Sequence, residues 1–248
     1  MLLIGHRGLG ADRFNPRLPE NTIASLIGAA SLPGVAAVEF DVMATLDGVL
    51  VLHHDFNIGN ILIGKTTLAA LSKPLPIFKD FLEKYKTTGK GMICEVKYPA
   101  PTSTHFSTSL SRQETANAVL LAIKESPPTW FFVSSFDPDL CKILSEKTNT
   151  IFNVWFGHED ESFGEHDFGD ERNAQPKTAL HFCVEIKAGL AVEISWLLKN
   201  EWFVKEAENS KVKLYTYGTE NTDREIVEKQ KIWGVESVIA DCVDRLIN

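Results

Sequence analysis

Short apolar runs recur along the chain at Leu2–His6, Val35–Val42, Met92–Lys97, Trp130–Ser135, Ile151–Phe156, Leu190–Trp196, Val212–Tyr217 and Ser237–Asp241. Most are rich in β-branched or aromatic residues, and each reads as a strand. Between them apolar positions fall three and four apart, as in Ile23-Leu26-Ile27-Ala30 and Ala118-Leu121-Ala122, with Ile226-Val227 in the last such segment. That spacing predicts amphipathic helices. Strands that alternate with helices form parallel sheets, because a parallel neighbour needs a crossover. Eight units in 248 residues leave about 31 residues each, close to the ~30 of one strand, helix and turns. The expectation is α/β: one (β/α)8 TIM barrel over residues 1–248. Val49–His53 extends the second strand as a hairpin through Asp47-Gly48, followed by a short insertion. An open doubly wound sheet is the alternative, but Gly5-His6-Arg7-Gly8-Leu9-Gly10 has the wrong glycine order for its phosphate loop.

Polar residues gather where these runs end. The first ends in His6-Arg7-Gly8, the second in Glu39-Phe40-Asp41, its hairpin partner in His53-His54-Asp55 and the third in Glu95-Val96-Lys97. Residues two apart share a strand face. Glu39 pairs with Asp41 and Glu95 with Lys97 on one side, while Phe40 and Val96 face the helices. Barrel active sites form at the C-terminal strand ends. Three carboxylates converging there make an oxygen cage suited to Mg²⁺ or Ca²⁺; without a cation they repel one another. Arg7 and Lys97 add positive charge suited to phosphate. His6 and His54 are the residue type suited to acid–base work near neutral pH. Singly, each feature has an ordinary structural explanation. Together, on neighbouring strands, they point to a phosphate ester.

Charge narrows the field further. Lys plus Arg number 25 against 33 Asp plus Glu, for a formal net charge of -8. This is not the footprint of a nucleic-acid binder. No apolar stretch is long enough to span a bilayer, and the first residues read as a strand rather than a signal peptide. Cys94, Cys141, Cys183 and Cys242 lie far apart with no CxxC pair, unlike a zinc site or disulfide scaffold. Reduced thiols and a cytoplasmic location are expected.

The ordered motifs His6-Arg7-Gly8, Pro19-Glu20-Asn21-Thr22, Glu39-x-Asp41, Asp47-Gly48, His54-Asp55, Glu95-x-Lys97, Ser134-Ser135-Phe136 and Gly234-Val235…Ile239-Ala240-Asp241 resemble the signature of glycerophosphodiester phosphodiesterases. The resemblance runs from residue 4 to about residue 244. It implies a TIM barrel that hydrolyses glycerophosphodiesters to glycerol 3-phosphate and an alcohol, with one divalent cation, Mg²⁺ or Ca²⁺. It also implies roles: Glu39, Asp41 and Glu95 hold the metal, His6 and His54 are the acid–base pair, and Arg7 and Lys97 hold phosphate. Glu20 lies at the edge of the site, and Asn21 is expected to cap the first helix or to serve the site. The implied mechanism has the glycerol 2-hydroxyl attack phosphorus, giving a cyclic phosphate that water opens.

Departures from the family pattern concern selectivity. Tyr215-Thr216-Tyr217-Gly218 stands where the family usually has Trp-Thr-Val-Asn, which makes Tyr215 the candidate aromatic wall for glycerol. Phe56–Pro76 is short where many relatives carry a larger insertion. The acidic stretch His158–Glu171, with seven acidic residues, reads as a solvated loop on the mouth, with a lid selecting cationic alcohols as the alternative. His53, His105, His158, His166 and His181 lack useful partners, and Trp130-Phe131-Phe132 and Trp196 read as core strand residues. Two competing functions remain. A lipid-directed phosphodiesterase requires exposed apolar residues in 56–75 or 157–172. A barrel that only binds a phosphorylated ligand is opposed by the intact histidines and carboxylates.

Overall fold

The computed structural model describes residues 1–10, 18–103, 106–125, 127–128, 130–156 and 169–247. Its strands are β1 (Leu2–Gly5), β2 (Val35–Ala44), β3 (Leu50–Leu52), β4 (Asn57–Ile58), β5 (Ile61–Leu62), β6 (Gly91–Val96), β7 (Phe131–Ser135), β8 (Thr150–Val154), β9 (Gly189–Glu193), β10 (Leu214–Tyr217) and β11 (Ser237–Ala240). The α-helices are α1 (Ile23–Ala30), α2 (Phe78–Tyr85), α3 (Arg112–Glu125), α4 (Pro138–Ser145), α5 (Glu171–Ala174), α6 (Pro176–Ile186), α7 (Ile194–Lys199), α8 (Trp202–Asn209) and α9 (Arg224–Trp233). Parallel pairing runs β1-β11-β10-β9-β8-β7-β6-β2, and β1 pairs with β2 to close the ring. The eight-stranded parallel barrel is therefore the one expected, with helices between its strands.

Alternation along the strands sorts the core into two compartments. On β2, Val38, Phe40 and Val42 are fully buried against the helices, with the Phe40 ring centroid 4.8 Å from that of Phe81. The opposite parity supplies the barrel interior, where Ile4, Ala37, Ile93, Ile151, Ala191, Tyr215 and Ile239 pack together. Trp130 packs below them, and a Cβ at Gly91 would meet its ring at 1.8 Å. Only glycine allows that approach. One layer above this apolar plug the same parity presents Glu39, Glu95, Ser134, Asn153 and Glu193.

The run Leu190–Trp196 is strand only as far as Glu193; Ile194 opens α7. Ile194 and Leu197 are both fully buried at helical spacing, so packing decides for helix. Trp196 accordingly sits on a helix, its ring centroid 4.7 Å from that of Phe156 in a tilted contact and 5.2 Å from that of Phe203 in an edge-on one. Among the described residues, no helix is long and apolar enough to cross a membrane. All four cysteines are buried, and none is in a disulfide.

Candidate active site

The hairpin predicted at Asp47-Gly48 sets the geometry of the mouth. Gly48 takes φ 77°, and Asp47 Oδ1 accepts from Thr45 Oγ1 at 2.6 Å and from the Leu68 amide at 3.0 Å. β3 returns antiparallel along β2, pairing Val42 with Leu52. The His53 amide then donates to the Asp41 carbonyl at 3.2 Å, which brings His54 back beside the end of β2. The following segment, with β4 and β5, packs Phe56, Ile63 and Leu75 over Met43 and Val51. Residues 56–75 expose no large apolar side chain.

Three carboxylates meet where β2 and β6 end. Asp41 and Glu95 are register partners, and oxygens of Glu39, Asp41 and Glu95 lie within 4.8 Å of one another. Burial and the charge of Asp41 push Glu39 up to about 8. Burial acts the same way on Asp41, but the charges of Arg7, His54 and Lys97 and a hydrogen bond from Asn21 hold it well below the usual carboxylate range. An all-oxygen cluster in which burial and mutual repulsion raise Glu39 even beside these cationic side chains fits a hard divalent cation.

Arg7 and Asn21 reach this cluster from left-handed backbone, at φ 51° and 56°. The Arg7 amide donates to Glu39 Oε2 at 3.1 Å, and its guanidinium bonds Glu20 at 2.9 Å and lies 3.4 Å from Asp41. Burial lowers the Arg7 pKa, but Asp41, Glu20 and Glu39 more than offset it, so the group stays charged. Asn21 Nδ2 donates to Asp41 Oδ2 at 2.8 Å, and its Oδ1 accepts from the Asp41 amide at 3.0 Å. Asn21 is not the cap of α1: Thr22 accepts from the Ser25 amide at 3.3 Å. A residue immediately before a Thr that already caps is free to turn inward.

His6 Nδ1–H donates to Asp241 Oδ1 at 2.7 Å, and Nε2 lies 3.8 Å from Glu39. Burial and the Arg7 charge push the imidazole down, but the Asp241 bond and the charges of Glu39 and Asp241 outweigh them and raise it. His54 Nδ1–H donates to Asp55 at 2.8 Å. Lys97 Nζ is 3.4 Å from Glu95 Oε1 and 5.5 Å from the Phe56 ring centroid. Lys97 is buried rather than a surface ion-pair partner.

Tyr215 does not join this group. It is buried in the apolar layer beneath, beside Phe132 at 6.2 Å. Tyr217, two residues on and one layer higher, is the aromatic at the mouth. Its hydroxyl donates to the Val154 carbonyl at 2.8 Å and its ring meets Phe136 at 6.0 Å. Counting to the end of the strand, rather than matching the motif's first aromatic, identifies it. Sequence reasoning also passed over Asn153, which donates to Glu95 Oε2 at 3.2 Å. The available signal was a polar residue at inward parity in an otherwise apolar run. The acidic residues 157–168, and with them His158 and His166, lie outside the described residues, as does His105.

The glycerophosphoryl diester phosphodiesterase family model matches residues 6–245. A glycerophosphodiester phosphodiesterase of Arabidopsis thaliana is 26% identical across 99% of this chain and 76% of its own length. A human glycerophosphocholine phosphodiesterase is 27% identical over 96% of this chain, which spans only 43% of that relative. Among solved structures, a glycerophosphodiester phosphodiesterase of Parabacteroides distasonis superposes with a TM-score of 0.74 at 21% identity, covering 99% of this chain and 94% of the other. An Oleispira antarctica phosphodiesterase, in complex with the product sn-glycerol-3-phosphate, gives 0.71 at 22% identity, covering 99% and 95%. With a closed barrel, an oxygen-ligand cluster at its mouth and a family match over nearly the whole length, this chain belongs to the glycerophosphoryl diester phosphodiesterase family and is a phosphoric diester hydrolase.

Proposed function

We propose that the chain hydrolyses glycerophosphodiesters to glycerol 3-phosphate and an alcohol, using one divalent cation, Mg²⁺ or Ca²⁺, and His6 and His54 as the acid–base pair. The observation that carries this reading is the cluster of Glu39, Asp41 and Glu95 within 4.8 Å, flanked by Arg7, Lys97 and both histidines. These three carboxylates would hold the cation, which when bound polarises a phosphoryl oxygen and neutralises its charge. The product named for the Oleispira relative supports the same outcome.

The remaining chemistry belongs to side chains. Arg7, steadied by Glu20, and Lys97 balance the phosphate's negative charge. In each histidine Nδ1–H is bound to a carboxylate, Asp241 for His6 and Asp55 for His54. That fixes the tautomer and leaves Nε2 for proton transfer. One Nε2 takes the proton of the glycerol 2-hydroxyl as that oxygen attacks phosphorus. The other gives a proton to the departing alkoxide as the P–O bond breaks. Water then opens the cyclic phosphate, with the proton transfers reversed.

The test is turnover of glycerophosphocholine and glycerophosphoethanolamine by purified protein before and after exhaustive chelation. Activity should vanish and return with Mg²⁺ or Ca²⁺. Full activity after chelation refutes the metal reading, and no turnover of either diester under any metal refutes the substrate reading. The lipid-directed alternative gains nothing from residues 56–75, which offer no exposed apolar entrance.

A further inference from the structure

Glu95 stands between two competing partners. Lys97 Nζ lies 3.4 Å from its Oε1, and Asn153 Nδ2 donates to its Oε2 at 3.2 Å. Lys97 and Asn153 are both buried. A buried ammonium draws the nearest carboxylate strongly, because an uncompensated charge there costs several kcal/mol. Glu95 and Lys97 share a face of β6, and a glutamate has rotatable bonds enough to turn both oxygens toward the lysine. Such a turn would remove one oxygen from the cluster with Glu39 and Asp41. Asn153 opposes it from β8, two strands away round the barrel. It sits between Ile151 and Trp155 at inward parity, at the level of Glu95 rather than in the apolar layer below. Its amide is neutral, so it holds the carboxylate without neutralising it, unlike a second cation.

We propose that Asn153 is a positioning residue that keeps Glu95 in the cation cluster by holding Oε2 away from Lys97. This rests on the reading that Glu39, Asp41 and Glu95 bind a divalent cation. Loss of such an outer partner typically weakens metal affinity ~10–100-fold. Because Lys97 is the competitor, the loss should depend on it.

The test is calorimetric titration of the whole chain with Mg²⁺ alone and with Ca²⁺ alone. The variants are Asn153→Leu, which matches the volume and removes the donor, and Asn153→Ser, which is too short to reach Glu95 and tolerates a tighter packing environment. Glu39→Gln is the control for the site. Both Asn153 variants should bind ~10–100-fold more weakly than wild type. Lys97→Met should raise affinity more in the Asn153→Leu background than in wild type, since it removes the partner that captures Glu95. Melting of the metal-free proteins separates a purely structural role, which would lower the midpoint and leave affinity alone. Affinity within twofold of wild type in a folded Asn153 variant overturns the proposal, as does an equal gain from Lys97→Met in both backgrounds. If wild type binds neither ion, or Glu39→Gln binds as well as wild type, the cation reading falls and this inference with it. If wild type binds and Glu39→Gln does not, failure at Asn153 counts against this inference alone.

Discussion

Replacing Asn21 with alanine should cost far more than removing a helix cap. Asn21 is 3% exposed, takes φ 56° and exchanges two hydrogen bonds with Asp41, while its own amide donates to the Arg7 carbonyl at 3.1 Å. Asn21→Ala forces a Cβ residue without a local hydrogen bond to hold the left-handed region, which costs ~1 kcal/mol. It strands the buried Asp41 amide, at ~1–3 kcal/mol, and removes a donor to an ionised carboxylate, worth ~1.5–3 kcal/mol. Water entering the gap recovers part of this, leaving a net loss of ~3–5 kcal/mol. For a chain of this size that lowers the melting midpoint by ~6–10 °C. Asn21→Gly has the same polar losses but no left-handed penalty, so it should be ~1 kcal/mol more stable than Asn21→Ala. Thermal and urea unfolding of the three proteins, in chelator, measure both differences. A loss below ~1 kcal/mol for Asn21→Ala, or wild-type stability for Asn21→Gly, would refute the argument that Asn21 holds Asp41 in place.

Three further outcomes follow from the site. With Glu39 raised from 4.5 to about 8, the folded chain binds more protons than the unfolded chain between those values, so metal-free stability should fall as pH rises from about 4.5 to about 8. Melting in chelator at pH 5 and pH 8 should show a steeper loss in wild type than in Glu39→Gln, and identical slopes would contradict it. His6→Ala and His54→Ala should each lower turnover ~10²-fold or more, with a double mutant losing much less than the product of the two; near-normal turnover in either single variant removes that histidine from the mechanism. Lys97→Met should lower kcat more than it raises KM, because charge builds on phosphoryl oxygens in the transition state, and Lys97→Arg should restore only part of it. An unchanged kcat with a raised KM in steady-state kinetics would confine Lys97 to substrate binding.

How much of this was legible beforehand follows from the range of the interactions involved. Alternation along a strand is local, so Phe40 against the helices and Glu39 with Asp41 inside could be read directly from residues 35–42. The Asp47-Gly48 turn is equally local, and it accounted for the return of His54 to the mouth. The repeat of strand and helix implied the barrel because a parallel pair requires a crossover. What depended on strands far apart in sequence was decided only by the closed ring. Whether Leu190–Trp196 ends as strand or turns into helix rests on what Ile194 and Leu197 pack against, not on their propensity. The layer a residue occupies depends on register, which buried Tyr215 in the plug and raised Tyr217 to the mouth. The partners of the catalytic-type groups, Asp241 for His6, Asn21 for Asp41 and Asn153 for Glu95, lie 235, 20 and 58 residues away. No periodicity encodes such pairs, because closing the barrel is what brings these side chains to one end and makes each buried polar group find its hydrogen bond there.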